Sequence, residues 1–304
     1  GRVLTDEFTV QVPGSTSNLG SGFDALSAAL SVYLRVGVKP TAGSELRWPV
    51  DWSLEPHENA IEIGLRRACA ELGTEVPGLS FSVNSEIPLC RGLGSSGAAF
   101  VAGIRTAERL AGRSLPAERV LRIAYELEGH PDNVSASLLG GWVLSCTDED
   151  RLLAERIPSR LQCRFVVAIP DAAVSTSRAR AILPESYPLS DAVFNLQRCG
   201  LMVMALSQGR GDLLAEATRD RLHQPFRATL IPGGEAVLER RGLPSRLEDS
   251  VLSVTISGSG STLLAIARDR FREIGAWMTG VLRDAGVHAE IRVLDLDTQG
   301  ARFL

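Results

Sequence analysis

The sequence has few of the residues from which disulfides and structural metal sites are built. Its five cysteines are odd in number, lie far apart and include no CxxC pair, which indicates reduced thiols. The four histidines are equally scattered and show neither HxxxH nor HExxH spacing. The sequence therefore predicts no zinc site and no other structural metal site.

Long apolar runs and clusters of basic residues are also missing. No run approaches the length of a membrane span, and the first residues alternate like a strand at Phe8, Val10 and Val12 without a leader-like pattern. The net charge is -4, and the basic residues are spread along the chain. We expect a cytoplasmic protein with small-molecule partners and with neither nucleic acid nor membrane as a partner.

The 304 residues, 44% of them hydrophobic, suffice for two domains. Periodicity predicts a strand at 7–12, a turn-rich segment at 13–22, and an apolar run at 25–38 that ends as a strand. The other predicted elements are helices at 59–72, 117–128, 132–139, 192–207 and 270–285, and strands at 79–83, 142–145, 165–169, 252–256, 262–267 and 288–294. This order indicates an α+β protein. The turn near 147–150 is the first candidate for a domain boundary, and we expect two domains at 1–155 and 156–304.

A glycine- and serine-rich stretch at residues 91–99 reads RGLGSSGAA and precedes a predicted apolar helix at 98–110. The glycines allow a ligand to reach the backbone, and the helix directs free N–H groups at the loop, so the stretch suits a phosphate. Ser95 and Ser96 could cap the helix, bind a phosphate oxygen or ligate magnesium.

Other segments offer polar groups of matching chemistry. Asn18 and Asp24 lie among turn-forming residues, where the alternatives are an Asx-turn closed by Asn18 and a cap that Asp24 gives to the next element. Glu126 and His130 are four residues apart across a helix end, so a carboxylate and an imidazole could face one cavity. Further on, Arg180 and Arg227 lie in polar turns that also hold Thr176 and His223. The arginine fork suits a carboxylate, although most arginines simply face water.

In order and spacing, these segments resemble the three motifs of the GHMP small-molecule kinases, a family named for galactokinase, homoserine kinase, mevalonate kinase and phosphomevalonate kinase. The motifs stand here at 13–24, 92–99 and 257–263. The segments EGHPDNV at 128–134 and DRLHQPFR at 220–227 resemble most the members that act on homoserine. The departures are Ser17 and Gly97, where alanine is usual, and Ser261, where proline is frequent.

The resemblance implies an N-terminal domain similar to the second domain of ribosomal protein S5 and a C-terminal ferredoxin-like α/β sandwich, with the active site between them. It also implies a homodimer. The implied reaction is the ATP-dependent phosphorylation of the side-chain hydroxyl of L-homoserine to O-phospho-L-homoserine, a step of threonine biosynthesis.

The resemblance further implies ATP and Mg²⁺ as cofactors and assigns residues to them. Mg²⁺ would lie on Ser96 and Glu126. The implied ATP-binding residues are Asn59, Arg91, Gly92, Leu93, Gly94, Ser95, Ser96, Gly97, Ala98, Gly258, Ser259 and Gly260. The implied substrate-binding residues are Asn18, Asp24, His130, Thr176, Arg180 and Arg227, of which Asn18, Asp24 and His130 are the catalytic candidates. No lysine lies in or near 91–99, so backbone N–H groups, the helix terminus and Mg²⁺ must meet the phosphate charge.

Two questions stay open at the level of sequence. Asp24 is the first candidate for a base and His130 the second, but either could only orient the substrate. The alternatives to homoserine as acceptor are threonine, shikimate and mevalonate. A nucleotide-binding regulator without catalysis is the alternative from another functional class.

Overall fold

The computed structural model describes residues 6–52, 54–55, 57–148 and 151–304. The strands are β1 (Phe8–Asn18), β2 (Gly22–Pro40), β3 (Leu46–Arg47), β4 (Leu79–Ser85), β5 (Trp142–Asp148), β6 (Arg151–Ile157), β7 (Arg164–Pro170), β8 (Val251–Ile256), β9 (Leu263–Ala267), β10 (Ala289–Leu294) and β11 (Arg302–Phe303). The helices are α1 (Ala60–Leu72), α2 (Ser95–Ala111), α3 (Ala117–Glu128), α4 (Asp132–Leu139), α5 (Thr176–Ala181), α6 (Leu189–Gln208), α7 (Leu214–Ala217), α8 (Gln224–Arg227), α9 (Gly234–Leu238) and α10 (Phe271–Asp284).

A seven-stranded sheet is built around the long strand β2. Its main order is β11-β1-β2-β4-β3, and β5 pairs with the first part of β2 and carries β6 on its other side. Helices α1 and α2 pack closely on one another, because Gly103 of α2 has no side chain to separate them. A Cβ added to Gly103 would stand 2.0 Å from the Ile61 carbonyl oxygen of α1. α2 packs its apolar face against this sheet, and both helices contribute to the same hydrophobic core.

The first motif is more regular than its sequence indicates. The prediction of a turn over 13–22 is wrong for residues 13–18, which continue β1 and pair with β2. Register shifts at Pro13/Gly14 and at Ser17/Asn18 accommodate the proline and the small residues within the ladder. The turn is therefore short, and residues 19–21 connect the two strands.

The second sheet has four antiparallel strands in the order β10-β7-β9-β8. The predicted succession of strand, strand, helix and strand after residue 250 is confirmed as β8, β9, α10 and β10. Together with β7 and the helices that follow it, these elements form the β-α-β-β-α-β pattern of a ferredoxin-like unit.

The predicted boundary between residues 155 and 156 falls inside β6, which ends at Ile157 and belongs to the first sheet. One hydrophobic core contains residues from both sides of that boundary, among them Val10, Leu30, Phe165 and Leu264. The division into two domains stays a prediction. In the described part of the chain, no helix is both long and apolar enough to cross a bilayer.

Candidate active site

A cavity of about 130 Å³ lies between the two sheets, where the β1–β2 turn, the glycine loop and the α3–α4 connection meet segments of the C-terminal half. Twelve of the residues predicted from the sequence line it. They are Asn18, Asp24, Gly92, Gly94, Ser95, Ser96, His130, Thr176, Arg180, Arg227, Gly258 and Ser259. The structure thus brings together six segments that are far apart in the sequence.

The two glycine loops pack directly on each other. Gly92 has a φ of 77°, and a Cβ at this position would lie 2.1 Å from the Ser257 carbonyl oxygen. The Ser257 hydroxyl donates to the Gly92 carbonyl at 2.7 Å, and the Thr262 N–H donates to the Arg91 carbonyl at 3.1 Å. The loop at 257–262 therefore supports the shape of the loop at 91–94.

Helix α2 begins at Ser95, three residues before the predicted start, and Gly94 is its N-cap. No side chain caps this end, so Ser95 and Ser96 belong to the first turn and do not act as the helix cap. The first N–H groups of a helix have no partner within it and carry partial positive charge. This end of α2 lines the cavity and can receive an anion.

Glu128, and not Glu126, lies beside Ser96. The Ser96 hydroxyl donates to Glu128 Oε2 at 2.7 Å. Glu126 instead accepts from Arg122 at 3.0 Å and from Arg67 of α1 at 3.2 Å, on the outer side of α3. The assignment of Glu126 as a magnesium ligand is therefore corrected: its carboxylate is held by two arginines, and the pair available to a cation is Ser96 and Glu128.

Acidic side chains at this end of the cavity are desolvated. Burial raises the pKa of Glu128 to about 7 against the opposing hydrogen bond from Ser96. Burial, together with the negative charge of Asp24, raises the pKa of Asp132 to about 6. His130 responds in the opposite sense, because burial and the nearby Arg180 lower its pKa and favour the neutral imidazole.

Asp24 and Arg180 form a two-point ion pair at the mouth of the cavity. The Arg180 guanidinium donates to the two Asp24 carboxylate oxygens at 2.8 and 3.0 Å. Asn18 holds the backbone beneath this pair, accepting from the Asp24 N–H at 3.0 Å and donating to the Gly258 carbonyl at 2.9 Å. Asn18 and Asp24 have φ values of 70° and 54°, so the tight turn itself directs both side chains.

Arg227 is a buried cation at the base of the cavity, with 2% of its surface exposed. It donates to the carbonyls of Ala179 at 3.1 Å and Gly258 at 3.2 Å, and its guanidinium lies over the Phe23 ring. Burial is the main cause that lowers its pKa. The two carbonyls and the negative charges of Asp24, Asp132 and Asp220 offset part of the cost of burying this charge, whereas the positive charge of Arg180 adds to it, so the site can receive an anionic ligand.

The remaining predicted nucleotide residues do not line the cavity. They are Asn59, Arg91, Leu93, Gly97, Ala98 and Gly260. Asn59 caps α1, accepting from the backbone N–H groups of Ile61 and Glu62. Arg91 donates from its Nε to the Pro170 carbonyl at 2.9 Å and therefore ties the glycine loop to the end of β7.

Five residues line the cavity although the sequence did not assign them to it: Ser17, Cys90, Glu128, Asp132 and Asn133. Asn133 is the centre of a small network, since its Oδ1 accepts from Ser15 at 2.8 Å and its Nδ2 donates to Ser17 at 3.2 Å. The signal for Glu128, Asp132 and Asn133 was present, because all three lie in the EGHPDNV segment.

Known proteins of one family are similar to this chain in sequence and in structure. The family described as GHMP kinases N terminal domain matches residues 59–141. A homoserine kinase of Synechocystis is 39% identical, with 97% of each chain covered, and one of Thermus thermophilus is 45% identical over 84% of this chain and 86% of its own.

Solved structures extend the similarity to the fold. The homoserine kinase of Cytophaga hutchinsonii matches 100% of this chain and 99% of its own, with a TM-score of 0.88 and 27% identity. The phosphomevalonate kinase of Streptococcus pneumoniae shares the fold with a TM-score of 0.72 at 14% identity, covering 94% of this chain and 99% of its own. The resemblance inferred from the motifs and the α+β GHMP fold are confirmed, and the chain belongs to the homoserine kinase family of the GHMP kinases.

Proposed function

We propose that this protein transfers the γ-phosphoryl group of ATP to the side-chain hydroxyl of L-homoserine, giving ADP and O-phospho-L-homoserine for threonine biosynthesis. One observation carries the proposal. The cavity has an anion-binding helix terminus on one side and the Asp24–Arg180 pair with buried Arg227 on the other. The negative charge of a nucleotide triphosphate suits the helix terminus. The carboxylate and ammonium groups of an amino-acid alcohol suit the arginines and Asp24 on the other side.

ATP is the nucleotide expected of a kinase family, and we assign its triphosphate to the backbone of residues 92–98. The glycines there let backbone N–H groups reach phosphate oxygens, and α2 adds its partial positive charge. Asn59 lies outside the cavity, at the start of α1. Its Nδ2 is fully buried with no hydrogen-bond partner in the described structure, and this free donor supports our assignment of Asn59 to the adenine of ATP.

The donor atoms at the α2 terminus fit a magnesium ion. Ser96 and Glu128 supply a hydroxyl and a carboxylate oxygen already in contact with each other, and Mg²⁺ prefers oxygen ligands and usually takes only one or two from protein. When bound there, the ion would neutralise phosphate charge during transfer. Glu128 must be ionised to hold it, so the group with a pKa of about 7 has to lose its proton.

The amino-acid substrate fits the other side of the cavity. We assign its carboxylate to Arg180 and Arg227, because a planar guanidinium group can donate two parallel hydrogen bonds to a carboxylate. Its ammonium and hydroxyl groups would be oriented by Asn18, Asp24 and His130, with Thr176 at the edge of the cavity and buried Asp132 as a further acceptor. Alignment of the hydroxyl with the γ-phosphate supplies much of the rate enhancement in phosphoryl transfer.

Asp24 is better placed to orient the substrate than to remove its proton. Both of its carboxylate oxygens accept hydrogen bonds from Arg180, so taking a proton would weaken a charge-assisted pair. His130 is neutral near pH 7 and can accept a hydrogen bond from the hydroxyl. A strong base is not mandatory for a loose phosphoryl-transfer transition state.

A coupled ADP-release assay with Mg²⁺ and ATP tests the function. L-homoserine would be compared with L-threonine, L-serine, shikimate and mevalonate at equal concentrations. We expect rapid turnover with homoserine and little with the others. Turnover on another acceptor would contradict the substrate assignment, whereas ATP binding without turnover on any acceptor would favour a nucleotide-binding regulator.

We also propose a cytoplasmic location and a homodimeric state, and we expect no nucleic-acid partner. The family supports small-molecule substrates for this chain. Subcellular fractionation and sedimentation measurements test the first two of these expectations.

A further inference from the structure

His223 is a buried histidine behind the active-site cavity. It belongs to the DRLHQPFR segment at 220–227, has 0% of its surface exposed and is not among the residues that line the cavity. A buried imidazole loses its hydration, so its two ring nitrogens need partners within the protein. Both nitrogens have one, and each partner belongs to a segment that helps to form the cavity.

The two ring nitrogens join the β1–β2 turn to Arg227. Nε2 lies 2.8 Å from the Gly20 carbonyl oxygen, and Nδ1 lies 3.5 Å from Nη1 of Arg227. A carbonyl only accepts and a guanidinium only donates, so we assign the neutral ring with its proton on Nε2. Burial is the main cause that lowers the pKa of His223, which favours the same neutral form.

Phe23 connects His223 to both arginines that are assigned to the substrate carboxylate. The rings of His223 and Phe23 stack, with their centroids 5.2 Å apart and their planes at 20°. The guanidinium groups of Arg227 and Arg180 lie 5.1 and 5.4 Å from the centroid of the same Phe23 ring. The face of an aromatic ring attracts a guanidinium. The imidazole, the phenyl ring and the two guanidinium groups therefore pack as one group.

Asp220 fixes the backbone of His223 from the other side. Its carboxylate accepts from the backbone N–H groups of Leu222, His223 and Gln224 at 2.9, 3.0 and 2.6 Å. It also accepts from Asn195 Nδ2 at 2.7 Å. Hydrogen bonds to an ionised carboxylate are stronger than those between neutral groups. The start of α8, which His223 caps, is therefore held in place.

Arg227 keeps one side of its guanidinium for a ligand. Its Nε donates to the Ala179 carbonyl, and its Nη1 faces the Gly258 carbonyl at 3.2 Å and His223 at 3.5 Å. Nη2 has no acceptor among the described residues, and Arg227 lines the cavity. Because the guanidinium is planar and rigid, the contacts of Nε and Nη1 decide where Nη2 points.

We propose that His223 is a positioning residue for recognition of the substrate carboxylate, because it holds Nη1 of Arg227 and ties it to the β1–β2 turn. This role rests on the proposed function, in which Arg180 and Arg227 bind that carboxylate. The turn lies between Asn18 and Asp24, the side chains assigned to the ammonium and hydroxyl ends. His223 thereby sets the distance between the two ends of the substrate site.

Two acceptors that differ only at the carboxylate test this role. L-homoserine and L-homoserine amide share the hydroxyl and the amine, but the amide has a neutral group where homoserine has its carboxylate. We expect the wild type to prefer homoserine at least about 100-fold in kcat/KM, and this preference ratio measures carboxylate recognition. Coupled ADP release at saturating ATP and Mg²⁺ gives both values.

His223→Gln and His223→Asn are a matched pair of neutral variants. The amide of His223→Gln reaches the position of Nε2 and keeps a donor to Gly20, but it leaves no acceptor beside Arg227. The carbonyl oxygen of His223→Asn takes the position of Nδ1 and keeps that acceptor, but it loses the donor.

The two variants have different expected outcomes. His223→Gln should lower the preference ratio about tenfold or more, mainly through a higher KM for homoserine. His223→Asn should lower kcat/KM about threefold to tenfold with both acceptors alike and keep the preference ratio. Both should keep the KM for ATP within about twofold of wild type, because neither contacts the α2 terminus.

Leu282→Ala is the control for lost stability. It removes a buried side chain from the core around α10 and should leave the preference ratio unchanged. Circular dichroism checks that all variants are folded.

A wild-type preference ratio in His223→Gln would overturn the role of His223, and so would an equal loss of the ratio in both His223 variants. A wild type that turns over both acceptors equally well would overturn the carboxylate assignment and with it this role. A wild type without turnover on homoserine would instead overturn the proposed function.

Discussion

Replacing Glu128 with glutamine removes the carboxylate that contacts Ser96 and leaves the shape of the side chain unchanged. We expect kcat/KM to fall at least about tenfold and the Mg²⁺ concentration for half-maximal rate to rise, because a neutral amide holds the cation more weakly. Initial rates measured across a magnesium series check this. Glu126→Gln is the matched control, since it removes only exposed pairs with Arg67 and Arg122. Equal losses in the two variants would contradict the assignment of Glu128.

The choice between these two glutamates lies beyond the sequence pattern. Successive helical residues are about 100° apart, so positions 126 and 128 point to nearly opposite sides of α3. Which side faces the cavity depends on the packing of α3 against its neighbours. Arg67 of α1 donates a hydrogen bond to Glu126, and only the folded structure shows this contact.

The desolvated Glu128 also makes the stability of the protein depend on pH. Its pKa is about 7 in the folded protein against 4.5 for the free side chain, so the folded state favours the protonated form. This contribution is fully present below pH 4.5 and is lost as pH rises through 7, by at most about 3 kcal/mol. Glu128→Gln should therefore raise Tm at pH 8 and change it little at pH 4.5. Thermal unfolding without Mg²⁺ at both pH values checks this, and equal shifts at both would contradict it.

Asp24→Asn separates orientation from proton transfer. If Asp24 orients the substrate, the variant should raise the KM for homoserine at least about tenfold and leave kcat at saturation within about threefold of wild type. Asp212→Asn, which breaks the exposed pair with Arg210, is the control and should change neither constant. A kcat that falls about 100-fold or more at saturating homoserine would make Asp24 the base.

At the scale of elements, the two glycine loops act as one unit. Gly92→Ala should be damaging for two reasons, because the residue has a φ of 77° and a Cβ would meet the Ser257 carbonyl at 2.1 Å. Gly112→Ala at the end of α2 shares the positive φ of 64°, but nothing lies within 4 Å of its Cβ. The contact with the Ser257 carbonyl therefore distinguishes the two variants, because the positive φ is common to both.

We expect Gly112→Ala to cost about 1 to 2 kcal/mol of unfolding free energy and to keep the KM for ATP. Gly92→Ala should cost more and should also raise the KM for ATP about tenfold or more, since it moves the phosphate loop. Urea unfolding and ATP titrations check both variants. Equal effects would show that contact with Ser257 does not hold the loop.

Local pattern predicts some elements better than others. β10 was predicted at 288–294 and spans Ala289–Leu294, and α6 was predicted at 192–207 and spans Leu189–Gln208. Both have strong periodicity. The errors fall in the motifs: β1 continues through Pro13 and Gly14 because β2 pairs with it, and α2 begins early at Ser95 because Gly94 adopts a left-handed cap. Long-range pairing and positive φ leave little trace in local hydrophobicity.

At the scale of the whole molecule, contacts between the two sheets were the least predictable feature, since they join residues far apart in sequence. Asn18 reaches Gly258, Ser257 reaches Gly92, and Arg91 reaches Pro170. The motifs indicated which segments converge, because their resemblance to the GHMP kinases implied that they form one active site. The way the two glycine loops pack on each other depends on tertiary packing, and so does the contact of Arg91 with Pro170.

These cross-contacts predict that the chain unfolds as one unit. The larger hydrophobic core contains Val10 of β1, Phe165 of β7 and Leu264 of β9, so neither sheet can lose its packing alone. Differential scanning calorimetry should show one transition, with a calorimetric enthalpy on the order of 200 kcal/mol near 60 °C for 304 residues. Measurements at several protein concentrations check whether the transition depends on association of the chain. Two transitions that stay apart when Mg²⁺ and ATP are added would mean that residues on either side of β6 fold independently.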